Sequence, residues 1–289
     1  MKDVVTAGVD GTPEAHSAVL WAAQEAWLRQ ARLQLLHAWV LLADEPEPRG
    51  PEEGDRNYWP HRMMEEARDA VRGHYPDLPV DTDLVPKDPF EALKEAAGES
   101  DLLVLGSRNV GAMTRYVLGE LGLKLVAHTD TPTVLVRAQQ GAPPTGHNGD
   151  VVVGVALHEP CEALLAFAFE SAARRGVTLR AVHGRHLPAH AYNRGGGVEP
   201  YAAEEAKKLA SDALEAALAP WREKYPDVPV DARVEMESPA PALLHDTTGA
   251  ALLAVGRRRR HLLRMPRIGH VVQAVVHHAP CPVAVVPHE

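Results

Sequence analysis

The sequence holds very little cysteine: Cys161 and Cys281 are the whole complement of its 289 residues. Two thiols do not make a disulfide framework, and both read as buried or free thiols of a reducing compartment. Long apolar runs are missing as well. No stretch approaches the roughly 20 residues needed to span a bilayer. No basic start, apolar stretch and small-residue cleavage site follows Met1, so the expectation is a cytoplasmic chain without a membrane span. An excess of basic residues is also lacking. The formal net charge is -9, and residues 1–149 hold 14 Lys and Arg against 23 Asp and Glu, while residues 150–289 hold 16 of each. That balance argues against nucleic acid as a partner, as does the lack of a helix-turn-helix, zinc-finger or aromatic-plus-basic pattern. Catalytic signatures are missing too. There is no Gly-x-x-x-x-Gly-Lys-Ser/Thr phosphate loop, no Gly-x-Gly-x-x-Gly after a strand and no Gly-x-Ser-x-Gly elbow. No Ser/His/Asp or paired-carboxylate arrangement stands out, so an enzyme is not expected.

What is present is ordinary globular material, 45% hydrophobic and 24% charged, in a length that suits two domains. Those domains are copies of each other. Ala7-Gly8-Val9-Asp10 matches Val153-Gly154-Val155-Ala156, and Leu35-Leu36-His37-Ala38 matches Ala181-Val182-His183-Gly184, both at an offset of 146. Further on, Tyr75-Pro76-Asp77-Leu78-Pro79-Val80-Asp81 matches Tyr225-Pro226-Asp227-Val228-Pro229-Val230-Asp231 at an offset of 150. Gly106 then matches Gly256, Gly119 matches Gly269 and Pro132 matches Pro282. A four-residue insertion reconciles the offsets, and the run Gly195-Gly196-Gly197 is the expected place for it. A period this long means duplication of a whole domain. The expected division is 1–138, a polar Gly- and Pro-rich linker over 139–149, and 150–289.

Each half alternates strand and helix. In the first, strands are predicted over 3–9, 32–39, 80–85, 102–105 and 133–136, and helices over 15–30, 59–75, 89–97 and 111–128. Thr12-Pro13 reads as a cap with proline in the first helical position, and Gly98 as a helix stop. The alternation predicts an α/β fold made of two repeated, doubly wound, five-stranded parallel sheets with helices on both faces. Ligands of such sheets sit beyond the carboxyl ends of the strands. Three segments reach that edge in the first half: Val9-Asp10-Gly11-Thr12, His37-Ala38-Trp39 and Leu105-Gly106-Ser107-Arg108-Asn109-Val110-Gly111. A glycine-bearing loop feeding a helix N-terminus favours phosphate.

These segments, with the closing runs Thr131-Pro132-Thr133-Val134-Leu135-Val136 and Cys281-Pro282-Val283-Ala284-Val285-Val286, resemble universal stress proteins, and tandem chains of this kind are similar to proteins of actinobacteria. The resemblance covers nearly the whole chain, twice. It implies a flavodoxin-like, adenine nucleotide alpha hydrolase-like architecture and a non-enzymatic stress-response regulator or sensor. It also implies an adenine nucleotide ligand (ATP, AMP or cyclic AMP), no required cofactor, and pairing of the two domains through their last strands into an intrachain pseudo-dimer, with a homodimer as an extension. Its implied nucleotide residues are Val9, Asp10, Ala38, Leu105, Gly106, Asn109, Gly119 and Glu120. The ATP-binding branch has glycine, two residues, glycine, nine residues, glycine, then serine or threonine. Here those places hold Gly106, Asn109, Gly119 and Glu120. An ionised carboxylate at the last place cannot donate to phosphate and repels it. In the second half Ala156 stands for Asp10, and the four places hold Gly256, Arg259, Gly269 and His270.

Plainer readings stand beside these. Asp10 suits a turn or helix cap as well as a ribose. Gly106 and Gly119 suit close packing. Arg257-Arg258-Arg259-Arg260 is either a solvated loop or, with Gly256 and Gly269, an anion site. His183, His186 and His190 have inviting spacing, but no clustered Cys or carboxylate completes a metal site. Trp21, Trp27 and Trp39 read as core or core edge. The alternative functions are a structural or interaction module that has lost nucleotide binding and, lacking an evident base, a slow ATPase.

Overall fold

A computed structural model describes residues 2–39, 58–107, 120–138, 149–159, 161–187, 200–259 and 268–289. The chain forms two compact units, Met1–Thr145 and Gly146–Glu289. Unit 1 contains strands β1 (Val4–Gly8), β2 (Arg32–Ala38), β3 (Val80–Val85), β4 (Leu102–Ser107) and β5 (Thr133–Arg137). Its helices are α1 (Pro13–Arg29), α2 (Tyr58–His74), α3 (Pro89–Glu99) and α4 (Glu120–His128). Unit 2 contains β6 (Val151–Gly154), β7 (Leu179–Gly184), β8 (Val230–Glu235), β9 (Leu252–Arg258) and β10 (Val283–His288). Its helices are α5 (Glu162–Arg175), α6 (Pro200–Lys224), α7 (Pro239–His245) and α8 (His270–His278).

The strand order is β3-β2-β1-β4-β5 in unit 1 and β8-β7-β6-β9-β10 in unit 2. Every one of these pairings is parallel. The expected pair of five-stranded, doubly wound sheets is therefore what forms. Right-handed crossovers that run first one way and then the other place helices on both faces. Accordingly α1 packs with α2 and α3 with α4, and likewise α5 with α6 and α7 with α8. Burial follows position. Val4, Val5, Ala7 and Leu102 to Leu105 are core, as continuous apolar strands covered on both sides must be. Strand β3, carrying Asp81 and Asp83, has no buried residue and closes the β2 side of unit 1.

Two expectations change. Gly98 does not end α3, which runs to Glu99 and closes on Ser100. The Ser100 hydroxyl donates to Ala96 O at 2.6 Å, so a side chain supplies the stop that glycine was expected to give. Trp27 is not core edge: it is 58% exposed and lies 6.2 Å from the Tyr75 ring, whereas Trp21 is buried. The linker core 139–148, the Gly195 to Gly197 run and the first part of the helix expected over 111–128 lie outside the described residues.

Candidate functional site

In unit 1 strand β1 lies between β2 and β4, so the chain turns away in opposite directions on its two sides. Beyond that switch point Val9, Asp10, Ala38, Leu105 and Gly106 come to one edge. Val9 is buried. Its N–H donates to Leu36 O at 2.9 Å, and its carbonyl accepts from His37 Nδ1 at 2.6 Å. Asp10 is exposed, and its Oδ1 accepts from the Thr12 N–H at 3.0 Å and the Thr12 hydroxyl at 2.5 Å. Thr12 Oγ1 in turn accepts from Ala15 N at 3.2 Å. This relay satisfies an otherwise orphaned donor of α1 and fixes where the helix starts. Gly11, at φ +76°, makes the turn, and a Cβ there would lie 2.9 Å from Met63 Sδ.

Gly106 has a packing role. A Cβ on it would stand 2.7 Å from both Ala15 N and Glu14 C, so only glycine lets β4 run against the first turn of α1. The next side chain, by strand alternation, faces the opposite layer, where α3 and α4 pack. That residue is Ser107. It is buried, and its hydroxyl has no hydrogen-bond partner among the described residues. Glu120 is the first residue of α4. Asn109 and Gly119 lie outside the described residues. Sequence reasoning missed the His37 clasp and the Met63 contact, and it placed Ser107 in an edge segment without giving it a role. The clasp was detectable, because His37 and His183 occupy matched positions.

Unit 2 repeats the clasp. The Val155 N–H donates to Val182 O at 2.9 Å, and His183 Nδ1 donates to Val155 O at 2.8 Å. Burial holds the His183 imidazole below its ordinary pKa, against a smaller opposing effect of that hydrogen bond. His186 is engaged separately, its Nε2 3.0 Å from Ser238 Oγ, so these two histidines do not converge, and His190 lies outside the described residues.

The start of the following helix differs. Helix α5 begins at Glu162, with Cys161 in the cap position and no side-chain cap bond. By the 146 offset α1 would predict a start at Glu159. A cavity of about 600 Å³ occupies the carboxyl edge of unit 2, with Ala156, Cys161, Leu164, Val182, Leu243 and Val255 in its wall. Gly256, Arg257, Arg258 and Gly269 also line it. Arg259 stands beside it, with its N–H donating to His288 O at 2.6 Å. The Arg258 guanidinium grips Glu159 with two nitrogens, Nε lying 2.9 Å from Oε2. Glu159 also meets His158 Nε2 at 3.3 Å. Gly269 caps α8 without a side-chain bond. Burial, helped by the neighbouring Glu162 carboxylate, raises the Cys161 thiol above its ordinary pKa, so it is not an activated nucleophile. Arg260, His261, Arg264 and Arg267 lie outside the described residues. Among the described residues, no helix is long and apolar enough to cross a membrane.

A model of the universal stress protein family matches residues 1–137 and 148–287. A universal stress protein of Mycobacterium tuberculosis is 32% identical over 296 residues, covering 97% of this chain and 96% of its own. One of Mycolicibacterium smegmatis is 30% identical over 298 residues, covering 98% of this chain and 96% of its own. Among solved structures, a universal stress protein from Archaeoglobus fulgidus shares the fold with a TM-score of 0.67 at 13% identity, covering 100% of both chains. A putative one from Pseudomonas aeruginosa gives 0.61 at 13% identity, covering 99% of this chain and 93% of that one.

Proposed function

The chain belongs to the universal stress protein family, in two tandem copies, and on that premise we propose that it is a non-enzymatic, ligand-responsive regulator whose unit 1 binds an adenine nucleotide. The observation that carries this reading is the Ser107 hydroxyl, buried at the end of β4 and without a partner among the described residues. Buried hydroxyls are rarely left unsatisfied without a reason. This one lies on the sheet face that α4 covers, at the edge where Val9, Asp10, Ala38 and Gly106 meet. A phosphate near the start of α4 would accept from it and from the first N–H groups of the helix. Glu120 opposes a highly charged ligand there, so AMP or cyclic AMP is favoured over ATP.

A second reading is an interaction module without nucleotide. The observation favouring it is Asp10, whose carboxylate oxygen already serves both Thr12 donors. Titration calorimetry of ATP, AMP and cyclic AMP against the full chain separates the two. Saturable AMP or cyclic AMP binding, weakened about tenfold by Ser107→Ala at unchanged thermal stability, supports the first. Glu120→Ser should then move the preference toward ATP. Asp10→Asn keeps the turn acceptor while removing the charge, so it tests the ribose role without unwinding α1. No saturable binding of any of the three at millimolar concentration leaves the second reading.

A further inference from the structure

The cavity of unit 2 differs chemically from the matched edge of unit 1, and the cause can be traced. In unit 1 the space above Gly106 is filled by backbone, the first turn of α1. In unit 2 that turn is not helical. The position of the missing Cβ of Gly256 is met instead by side chains, His288 Nε2 at 2.6 Å and Leu164 Cδ2 at 3.4 Å. With α5 beginning three residues later than the repeat predicts, the edge opens into the cavity of about 600 Å³, a volume suited to a small organic molecule.

The wall sorts by polarity. Its body is apolar, built from Val155, Leu164, Val182, Leu243, Val255 and Val272. Its charge is basic: Arg257, where unit 1 has Ser107, and Arg258. The acidic wall residue is Glu159, and its carboxylate is already held by Arg258 and His158. Arg258 spends Nε and one terminal nitrogen on Glu159. The far edge of a guanidinium gripped in this way still carries donors for a second carboxylate or phosphate. Ala156 stands where unit 1 has Asp10, so no carboxylate at that place awaits the hydroxyls of a ribose.

We propose that the unit 2 cavity binds a small organic monoanion, with its apolar body against the valine and leucine wall and its single charged group on Arg258. This site is independent of nucleotide binding in unit 1. Burial of the ligand body supplies most of the affinity, and Arg258 sets its sign of charge and its orientation.

Decanoate is the probe, titrated calorimetrically against the full chain, with decanol, decyltrimethylammonium and AMP as comparators. Decanoate should saturate one site. Decanol should bind about tenfold more weakly, because it forgoes the charge-assisted contact, and decyltrimethylammonium more weakly still. Arg258→Gln should cost decanoate about tenfold and leave decanol unchanged. Ala156→Trp, at a partly exposed wall position, should fill the space and abolish binding of both, with the thermal transition retained as evidence of folding. Absence of saturable decanoate binding at millimolar concentration overturns the proposal. So does binding that survives Ala156→Trp, and so does one-for-one displacement of decanoate by AMP, which would make the cavity a nucleotide site.

Discussion

Unit 1 anchors the starts of α1 and α3 with side chains, and unit 2 leaves the matching starts of α5 and α7 without a side-chain cap bond. Thr12 caps α1, and Asp88 accepts from Phe90 N and Glu91 N at the start of α3. In unit 2 none of α5, α7 and α8 has a side-chain cap bond. The two sheets have the same strand order, so the sheet does not cause the difference. For α5 and α7 the lost caps trace to named replacements. Ala156 and His158 replace Asp10 and Thr12, and α5 begins late. Ser238 replaces Asp88, and its hydroxyl turns to His186. The polar contacts beside the edge strands diverge too. Unit 1 links Thr6, Gln34 and Asp83 through neutral or singly charged hydrogen bonds. At the matched places unit 2 has Val152, Arg180 and Arg233, and the two arginines share Asp246, with Asp150 and Asp231 beside them. Duplicated domains can therefore keep a scaffold and still diverge at the edge where ligands bind, because caps fix helix starts without touching the core.

The sharpest way to break this comparison is at the matched glycines. Gly106→Ala should cost unit 1 about 3 kcal/mol, because its Cβ meets helix backbone that cannot yield without moving α1. Gly256→Ala should cost about 1 kcal/mol, because a histidine ring and a leucine methyl can shift. Urea unfolding followed unit by unit measures both, and equal costs would mean that the two edges are packed alike. The caps come next. Thr12→Ala should remove about 1 kcal/mol from unit 1, while His158→Ala should stay within about 0.5 kcal/mol. A large loss at His158 would show that α5 is anchored there after all.

A slightly smaller effect is expected at the far ends of the same helices. Gln30 closes α1 at φ 54°, and Gly176 closes α5 at φ 63°. A left-handed conformation is costly for glutamine and natural for glycine. Gln30→Gly should stabilise unit 1 by somewhat under about 1 kcal/mol, net of the extra chain entropy that glycine loses. Thermal melting of Gln30→Gly beside Gly176→Gln should give shifts of opposite sign. The smallest effect concerns pH. His183 has a folded pKa below its ordinary value because it is buried. The unfolded chain therefore takes up its proton first as pH falls, and stability present above the ordinary histidine pKa of about 6.5 is lost as pH drops toward the folded value. His183→Asn, which keeps a donor for Val155 O but cannot titrate, should show a shallower loss of melting temperature between pH 7 and pH 5. Parallel curves for the two proteins would remove His183 from the account.

The sequence by itself determined the duplication, the alternation of strand and helix, the parallel five-stranded sheets and the three segments that reach the ligand edge. Those features rest on periodicity and repetition, which are local and countable. It also offered a turn, a cap or a ribose contact for Asp10, and the structure shows Asp10 in the turn, accepting from Thr12, while Thr12 caps α1. Only the tertiary structure decided that Gly106 is pressed against Ala15, that Ser107 is buried without a partner among the described residues, and that the late start of α5 opens a cavity lined by Arg258. The reason is physical. Gly106 and Ala15, or Gly256 and His288, are far apart in the chain and meet only when the strands assemble. Whether a glycine faces backbone, a ring or open space depends on a neighbour that its own stretch of sequence does not specify.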